Sequence, residues 1–285
     1  MPRIQWTEDL CREVADAYTR GETTHEIARR MGVQQCSVFK AIKKTGAKLR
    51  DRSDARRENL NQEFFDAIDT EEKAYWLGFM TADGNVLDDG IISLGLASID
   101  VEHIKKFRSS LGSSHKICVN PVKSTVINGQ VIKAGECAKV AFKSEHMAAS
   151  LASLGVVPRK SLIAAPATID PSLERHYWRG LVDGDGWITY GTTTCDWIIG
   201  LCGSESIVSA FGVFSARICE SKSVPLQAGN IWRYRVSGNQ KSMILMHALY
   251  KDATIYLDRK YALYQRAISD HSLPRYRGNF DRSHR

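Results

Sequence analysis

The sequence lacks the features of several large protein classes. It has no apolar run near the ~18 residues that a membrane span requires, and its N-terminus has no hydrophobic signal-peptide segment. Its seven cysteines are odd in number and scattered, without a Cys-x-x-Cys pair, so neither a zinc site nor a disulfide framework is indicated. We therefore expect no membrane association and an intracellular protein in a reducing setting, in the cytoplasm, at the nucleoid or in an organelle.

What is present is the composition of a globular chain with an excess of basic residues. The 285 residues are 43% hydrophobic and 25% charged, which is enough for two domains or one large domain with an appendage. The formal net charge is +7. This charge is mild support for a polyanionic partner, because many basic proteins bind no nucleic acid.

The segment "TTHEIARRMGVQQCSVFKAIKKTG" (23–46) has the pattern of two short helices separated by a glycine turn. A capping Thr23 or Thr24 and an apolar face at helical spacing precede Gly32, and the spacing resumes after it. The segment resembles a helix-turn-helix, with helices predicted at 7–19, 24–30 and 34–44 and a domain at 1–46. An ordinary helical hairpin is the alternative. If the resemblance holds, the exposed start of the recognition helix presents four polar residues to DNA: Gln34, Gln35, Ser37 and Lys40.

Two basic segments flank the remaining chain. Residues 47–62 have few apolar side chains and many Lys and Arg, which is typical of a linker, either a solvated tether or a path along a phosphate backbone. The tail at 269–285 is also basic, and it is either a disordered arm or a clamp on the DNA backbone.

The centre of the chain contains a duplication of about a hundred residues. "AYWLGFMTADGNV" (74–86) aligns with "HYWRGLVDGDGWI" (176–188) at a constant offset of 102, which pairs Gly78 with Gly180 and Asp83 with Asp185. Each copy is predicted to be a helix that ends at a left-handed glycine, Gly84 or Gly186.

Small residues recur four apart within each predicted helix, and residues four apart share one face. Glycine inside a helix costs about 1 kcal/mol relative to alanine, and a close helix–helix contact would offset that cost. The duplication therefore predicts two helices whose backbones touch at four small residues: Gly78, Ala82, Gly180 and Gly184.

Such packing would bring Asp83 and Asp185 together at the negative ends of two helix dipoles. Two carboxylates in that position are unfavourable for stability but suit a divalent cation that also binds water and phosphate oxygens. We therefore expect Asp83 and Asp185 to bind Mg²⁺, with Mn²⁺ as a substitute. Asp183, opposite Thr81 of the first copy, is either an asymmetric helper or a hydrogen-bonding residue.

The segments "WLGFMTADG" and "WRGLVDGDG" resemble the two signature motifs of the single-chain LAGLIDADG homing endonucleases, and the resemblance covers about 61–267. It implies an α+β fold of two pseudo-symmetric αββαββα repeats, here at 63–163 and 164–268, that form a saddle on duplex DNA. Trp76 and Trp178 replace the leading Leu, Arg179 replaces an Ala, and Thr81 replaces the first Asp. None of these departures changes the two metal-binding acids.

The resemblance also implies roles for basic residues in each repeat. Lysines at Lys160 and Lys260 would point toward the cleaved phosphates and stabilise charge or help to activate water. Lysines packed along a helix with solvated ends are the alternative. Basic residues that alternate along predicted strands would face DNA, with a merely solvated sheet face as the alternative: Lys133, Lys139, Arg233 and Arg235.

Together these features predict a monomeric, site-specific, Mg²⁺-dependent double-strand DNA endonuclease with a long asymmetric target. Two alternatives stay open: a DNA-binding transcription regulator on the same scaffold, and an RNA maturase that assists intron splicing. The retention of both Asp83 and Asp185 argues against a regulator, because a regulator needs neither.

Overall fold

The structure is a computed structural model that describes residues 4–47, 59–127, 130–158 and 163–269, without the side chains of 123–134. It divides into two compact units, Met1–Glu58 and Asn59–Arg285. Most of the expected linker and of the basic tail lies outside the described residues. Within the described ranges, no helix has the length and apolar character needed to cross a membrane.

The N-terminal unit consists of three helices, α1 (Glu8–Thr19), α2 (Thr24–Met31) and α3 (Gln35–Lys44). Thr23 begins α2 with a capping box, since its hydroxyl accepts from the Glu26 N–H while the Glu26 carboxylate accepts from the Thr23 N–H. Gly32 ends the helix with a φ of 65°, a left-handed conformation that favours glycine. The three helices pack around a small apolar core that includes Val14, Ile27, Val38 and Ile42.

The first repeat of the larger unit begins with the helix that carries the first motif, α4 (Glu71–Ala82). A four-stranded antiparallel sheet follows in the order β1-β2-β6-β3, and a separate hairpin, β4-β5, is inserted before β6. The further elements are β1 (Gly84–Val86), β2 (Ile91–Ala97), α5 (Val101–Ser110), β3 (Cys118–Asn120), β4 (Lys123–Ile127), β5 (Gln130–Ala134), β6 (Cys137–Lys143) and α6 (Glu145–Ser153).

Apart from the hairpin inserted in the first repeat and a final helix described only in the second, the second repeat has the same order of helices and strands. Its sheet, β7-β8-β10-β9, matches that of the first repeat strand for strand. The elements are α7 (Glu174–Asp185), β7 (Gly186–Gly191), β8 (Asp196–Gly203), α8 (Glu205–Cys219), β9 (Leu226–Ala228), β10 (Ile231–Ser237), α9 (Asn239–Tyr250) and α10 (Asp258–Ser269). The chain therefore has the predicted α+β architecture of two pseudo-symmetric repeats.

Each sheet buries one face and exposes the other. In β6 the buried Val140 and Phe142 alternate with exposed residues, and in β10 Tyr234 and Val236 do the same. The covered faces pack against helices of their own repeat, and both repeats contribute to one continuous apolar core. The alternation leaves a surface of exposed strand residues on each repeat.

Gly135 and Glu136 separate β5 from β6, and the two strands belong to different sheets. Lys133 lies in the inserted hairpin, where it pairs with Ser124, whereas Lys139 lies in the main sheet.

Candidate active site and nucleic-acid interface

The helices α4 and α7 touch backbone to backbone. A Cβ atom placed on Gly78 would lie 2.0 Å from the carbonyl oxygen of Tyr177, and one on Gly180 would lie 2.1 Å from that of Tyr75. Such distances are far shorter than any van der Waals contact, so both positions require glycine. Two of the four predicted interface residues thus lie at the closest approach of the two repeats.

The other two predicted interface residues lie one turn further along the same helices. A Cβ atom on Gly184 would be 2.4 Å from the Cβ of Ala82, so an alanine fits on α4 only because α7 has glycine opposite. The same added Cβ would be 3.2 Å from Oδ2 of Asp83. The Asp83 carboxylate therefore lies against the α7 residue that precedes Asp185.

The prediction that Gly84 and Gly186 end their helices in a left-handed conformation is wrong. Gly186 has φ −94° and ψ 179°, an extended conformation, and neither it nor Gly84 has a positive φ. Both are small because a Cβ would collide with the preceding helical turn, at 2.5 Å from Met80 O for Gly84 and 2.6 Å from Val182 O for Gly186. The helices pass directly into β1 and β7, and that tight transition, rather than a left-handed cap, requires glycine.

Asp83 and Asp185 are both exposed at the matching ends of α4 and α7. Their oxygen atoms are ligands of the kind that Mg²⁺ prefers, and Mg²⁺ commonly uses one or two carboxylates together with water and phosphate. Within the described ranges no third His, Cys, Asp or Glu joins them to form a larger cluster. The chemistry of the two carboxylates is compatible with the divalent cation that the sequence predicts, and that cation stays a prediction.

Asp183 is a buried acceptor and not an exposed ligand. It is 1% exposed, and its carboxylate accepts hydrogen bonds from Tyr75 Oη (2.8 Å), Tyr250 Oη (2.6 Å) and the backbone N–H of Leu257 (2.7 Å). Burial raises the pKa of Asp183, although Lys260 and the hydrogen bonds oppose the rise. Of the two roles open for Asp183, the structure matches that of a hydrogen-bonding residue in the last turn of α7.

Lys260 lies beneath the site, on α10. Its ammonium is buried and donates to three carbonyl oxygens at the end of α7, those of Val182 (2.5 Å), Asp183 (2.8 Å) and Gly186 (2.6 Å). Burial lowers its pKa to about 8, while Asp183, Asp83 and Asp185 oppose the shift. These contacts stabilise carbonyls that a helix end leaves without partners.

The burial of Lys260 excludes the alternative of a lysine with a solvated end, because its ammonium contacts three backbone carbonyls. Its expected role toward the cleaved phosphates stays a prediction. The lysine is long enough to reach from α10 to the end of α7, which a motif comparison alone does not show. Lys160, its predicted counterpart in the first repeat, lies outside the described residues.

A second buried polar group, centred on Arg179, joins the two repeats. The sequence comparison identifies Arg179 only as a residue that departs from the family motif. Arg179 is fully buried; it donates to Glu71 Oε1 (2.7 Å), to the carbonyls of Ile255 and Leu249, and pairs with His176 Nδ1. Glu71 belongs to the first repeat, so the ion pair crosses between the repeats. The signal in the sequence is an arginine inside an apolar helix, at the position where the first copy has a leucine.

The structure describes the side chains of three of the four basic residues predicted to face DNA from the sheets. Lys139 on β6 and Arg233 and Arg235 on β10 lie on the exposed strand faces. The side chain of Lys133 is outside the described part of the chain. Arg233 and Arg235 border a groove of about 520 Å³ that is also lined by Trp187 and Gln227.

The residues predicted for DNA contact in the N-terminal unit cluster at the start of α3. Gln34, Gln35 and Lys40 are exposed, and Ser37 is half-buried. The side-chain amide of Gln35 donates to Thr24 Oγ1 (2.8 Å), which ties the first turn of α3 to the first turn of α2.

Several solved structures are similar to this chain. Meganuclease I-SmaMI bound to uncleaveable DNA is 11% identical with a TM-score of 0.46, covering 68% of this chain and 88% of its own. The LAGLIDADG meganuclease I-CpaMI bound to uncleaved DNA is 12% identical with a TM-score of 0.44, covering 68% and 89%. The N-terminal LAGLIDADG domain of DUF199/WhiA is 14% identical with a TM-score of 0.41, covering 76% and 98%.

No protein-family model and no curated protein sequence matches the chain. The structures similar to it include meganucleases with bound DNA and a LAGLIDADG domain of WhiA.

Proposed function

We propose that this chain is a site-specific, metal-dependent endonuclease that cleaves both strands of a DNA duplex. The observation that carries the proposal is the pair of exposed carboxylates, Asp83 and Asp185, at the ends of two helices that touch through Gly78 and Gly180. Stability alone does not favour two like charges at adjacent negative helix ends. A divalent cation between a carboxylate pair and a phosphate accounts for the arrangement.

In this proposal Asp83 and Asp185 hold Mg²⁺, for which Mn²⁺ substitutes. When bound, the cation supplies Lewis acidity that activates water and neutralises charge on the cleaved phosphate. Lys260 acts as a positioning residue, because it fixes the last turn of α7, from which Asp185 extends. The close contact of α4 and α7 sets the relative position of the two acids.

The exposed sheet faces are proposed to lie along the DNA, with Lys139 contacting one half of the target and Arg233 and Arg235 the other. Because the two faces carry different residues, the target is expected to be asymmetric. The exposed polar start of α3 is proposed to add a further DNA contact. Both acids come from one chain, so the active form is proposed to be a monomer.

The test is cleavage of a randomised duplex library with Mg²⁺, with Mn²⁺ and with EDTA, followed by sequencing of the ends. We expect cutting at one long site that EDTA abolishes and that Asp83→Asn or Asp185→Asn reduces by at least ~100-fold, comparable to the loss of a principal electrostatic group. Asp88→Asn, which changes an exposed acid in the loop after β1, serves as the control and should cut normally. Metal-independent cutting, or full activity of either asparagine variant, would disprove the assignment.

The alternative is a DNA-binding regulator that does not cut. The exposed polar start of α3 would contact DNA in a regulator as well as in a nuclease. Tight and selective binding of the wild-type chain to one duplex, without cleavage in either metal, would select the regulator.

A further inference from the structure

The recognition helix α3 exposes a large aromatic side chain. Phe39 is 46% exposed, whereas its neighbours Val38, Ala41 and Ile42 are buried and form the core of the N-terminal unit. The ring of Phe39 therefore lies outside the packing that holds the three helices together. The exposed part of this ring contributes little to folding and is available for contact with a partner.

Phe39 lies in the middle of a polar stripe. Gln35 and Lys43 are four residues before and after it, and residues four apart lie on one helix face. Both are exposed, as is the adjacent Lys40. The hydrogen bond from Gln35 to Thr24 fixes the first turn of this stripe against α2, so the face is presented in a defined orientation.

Charge is segregated between the helices of the unit. The α3 segment carries three lysines and no acid, whereas α1 carries four acids and a single arginine. A polyanion is thus attracted to the α3 face and repelled by α1. The negative charge of a DNA duplex is complementary to the lysines of this face, and the major groove is wide enough to admit one helix.

The major groove has one apolar feature, the C5-methyl group of a pyrimidine, which thymine and 5-methylcytosine share. Building on the proposed DNA contact of α3, we infer that Phe39 is a specificity-determining residue whose ring packs against a C5-methyl group. Lys40 and Lys43 then contact phosphates on either side, and Gln35 faces a base edge. This assignment explains why an apolar ring occupies the centre of an otherwise polar and basic face.

The experiment uses the full chain in EDTA and a duplex selected by it from a randomised library. Each thymine of the selected site is replaced in turn by uracil, which removes only the methyl group. Loss of one methyl contact should weaken wild-type binding about fourfold at one or two positions. Phe39→Ala should bind the thymine duplex with the same deficit and show no further loss with uracil, while Phe39→Leu retains part of the discrimination.

A parallel selection with 5-methylated cytosines separates the two methyl sources. If thymine is the partner, the Phe39-dependent effect occurs in the unmethylated library. If 5-methylcytosine is the partner, it occurs only in the methylated one. Absence of any methyl effect that depends on Phe39 in both libraries overturns the inference.

Lys43→Gln provides the control, because loss of a phosphate contact should weaken binding to thymine and uracil duplexes equally. If Lys43→Gln weakens binding but Phe39→Ala does not, only the methyl contact is disproved. If neither variant nor Lys40→Gln changes affinity, α3 does not contact DNA, and that part of the proposed function fails as well. Helical circular dichroism of each variant confirms that the exposed substitutions leave the fold intact.

Discussion

At the interface between the two repeats, the residues that allow the helix backbones to touch are the same in both repeats, whereas the neighbouring polar side chains differ. Gly78 and Gly180 are equivalent, and each is held by the backbone of the opposite helix. Two other equivalent pairs have diverged: Leu77 corresponds to Arg179, and Thr81 corresponds to Asp183. The helix contact is therefore symmetric at its centre, while the polar groups around it are not.

The two residues of the second repeat, Arg179 and Asp183, take part in a buried polar network that extends into the first repeat. Asp183 accepts from two tyrosine hydroxyls, one of them from Tyr75 of the first repeat, whereas the Thr81 hydroxyl donates to Leu77 O in its own helix and contacts the Tyr177 hydroxyl of α7. Arg179 likewise reaches Glu71 across the interface. A symmetric apolar contact permits close packing, but directional polar contacts such as these fix one arrangement of the two halves.

The largest effect is expected from a methyl group at the centre of the interface. Gly78→Ala and Gly180→Ala each place a Cβ about 2 Å from a backbone oxygen, which cannot move without separating the helices. We expect each change to lower the free energy of unfolding by about 4 kcal/mol or more. Denaturant titration measures the loss.

Gly95→Ala is the matched control for both glycine variants. Its nearest neighbour would be 3.8 Å away, on an exposed strand position. The control should be neutral or slightly stabilising, within about 1 kcal/mol, because alanine restricts the unfolded chain. A stable Gly180→Ala protein would mean that the two helices are further apart than the structure shows.

The next largest effect is expected from Arg179→Leu, which copies the first repeat's residue into the second. The change leaves Glu71 without its ion-pair partner and removes the donors to Ile255 O and Leu249 O. Unfolding free energy should fall by about 3 kcal/mol, and the double variant Glu71→Gln, Arg179→Leu should recover part of that loss.

Arg217→Leu tests the opposite case, since Arg217 pairs with Glu174 at the surface and is 58% exposed. Its loss should cost no more than about 1 kcal/mol. Equal costs for Arg179→Leu and Arg217→Leu would show that the buried pair gives no special support to the interface.

A smaller difference is expected between Asp183→Asn and Thr81→Val. Asparagine has one acceptor oxygen for three donors, so one or two buried donors lose their partner at a cost of about 2 kcal/mol. Valine removes a single neutral hydroxyl, which donates to Leu77 O and contacts Tyr177, and its loss should cost about 1 kcal/mol. Thermal unfolding of both variants checks the comparison, and similar costs would mean that the tyrosine contacts contribute little.

Local patterns in the sequence are sufficient to predict much of this arrangement. The α+β repeats are what the resemblance of the two motifs implies, and a paired glycine spacing in each motif points to a close contact of two helices. The expected left-handed conformation of Gly84 and Gly186 is wrong, because a glycine after a helix signals either that conformation or a lack of space. Only the collisions with Met80 and Val182 separate the two cases.

Contacts between distant segments could not be predicted in this way. Lys260 reaches carbonyls more than 70 residues earlier, and Arg179 contacts Glu71 across 108 positions. The partner of a long side chain depends on which distant segment the tertiary fold places beside it, and local residue spacing does not determine that placement. The metal role of Asp83 and Asp185 and the DNA contacts stay predictions for the experiments above.

The last expected effect concerns pH and a buried histidine of the first repeat that contacts the interface network. His103 is buried against Tyr75 Oη at 2.9 Å, and burial lowers its pKa from 6.5 to about 3, with Lys106, Arg259 and Lys260 adding to the shift. Because the unfolded chain binds this proton near pH 6.5 and the folded chain does not, stability falls as the pH drops from 6.5 toward 3. His103→Gln keeps a hydrogen-bonding group for Tyr75 but does not titrate. The difference in unfolding free energy between pH 7 and pH 5 should therefore shrink by up to about 2 kcal/mol in the variant. Parallel slopes for wild type and variant would mean that His103 is protonated in the folded protein, and its contact with the Tyr75–Asp183 network would then have to be an ionic one.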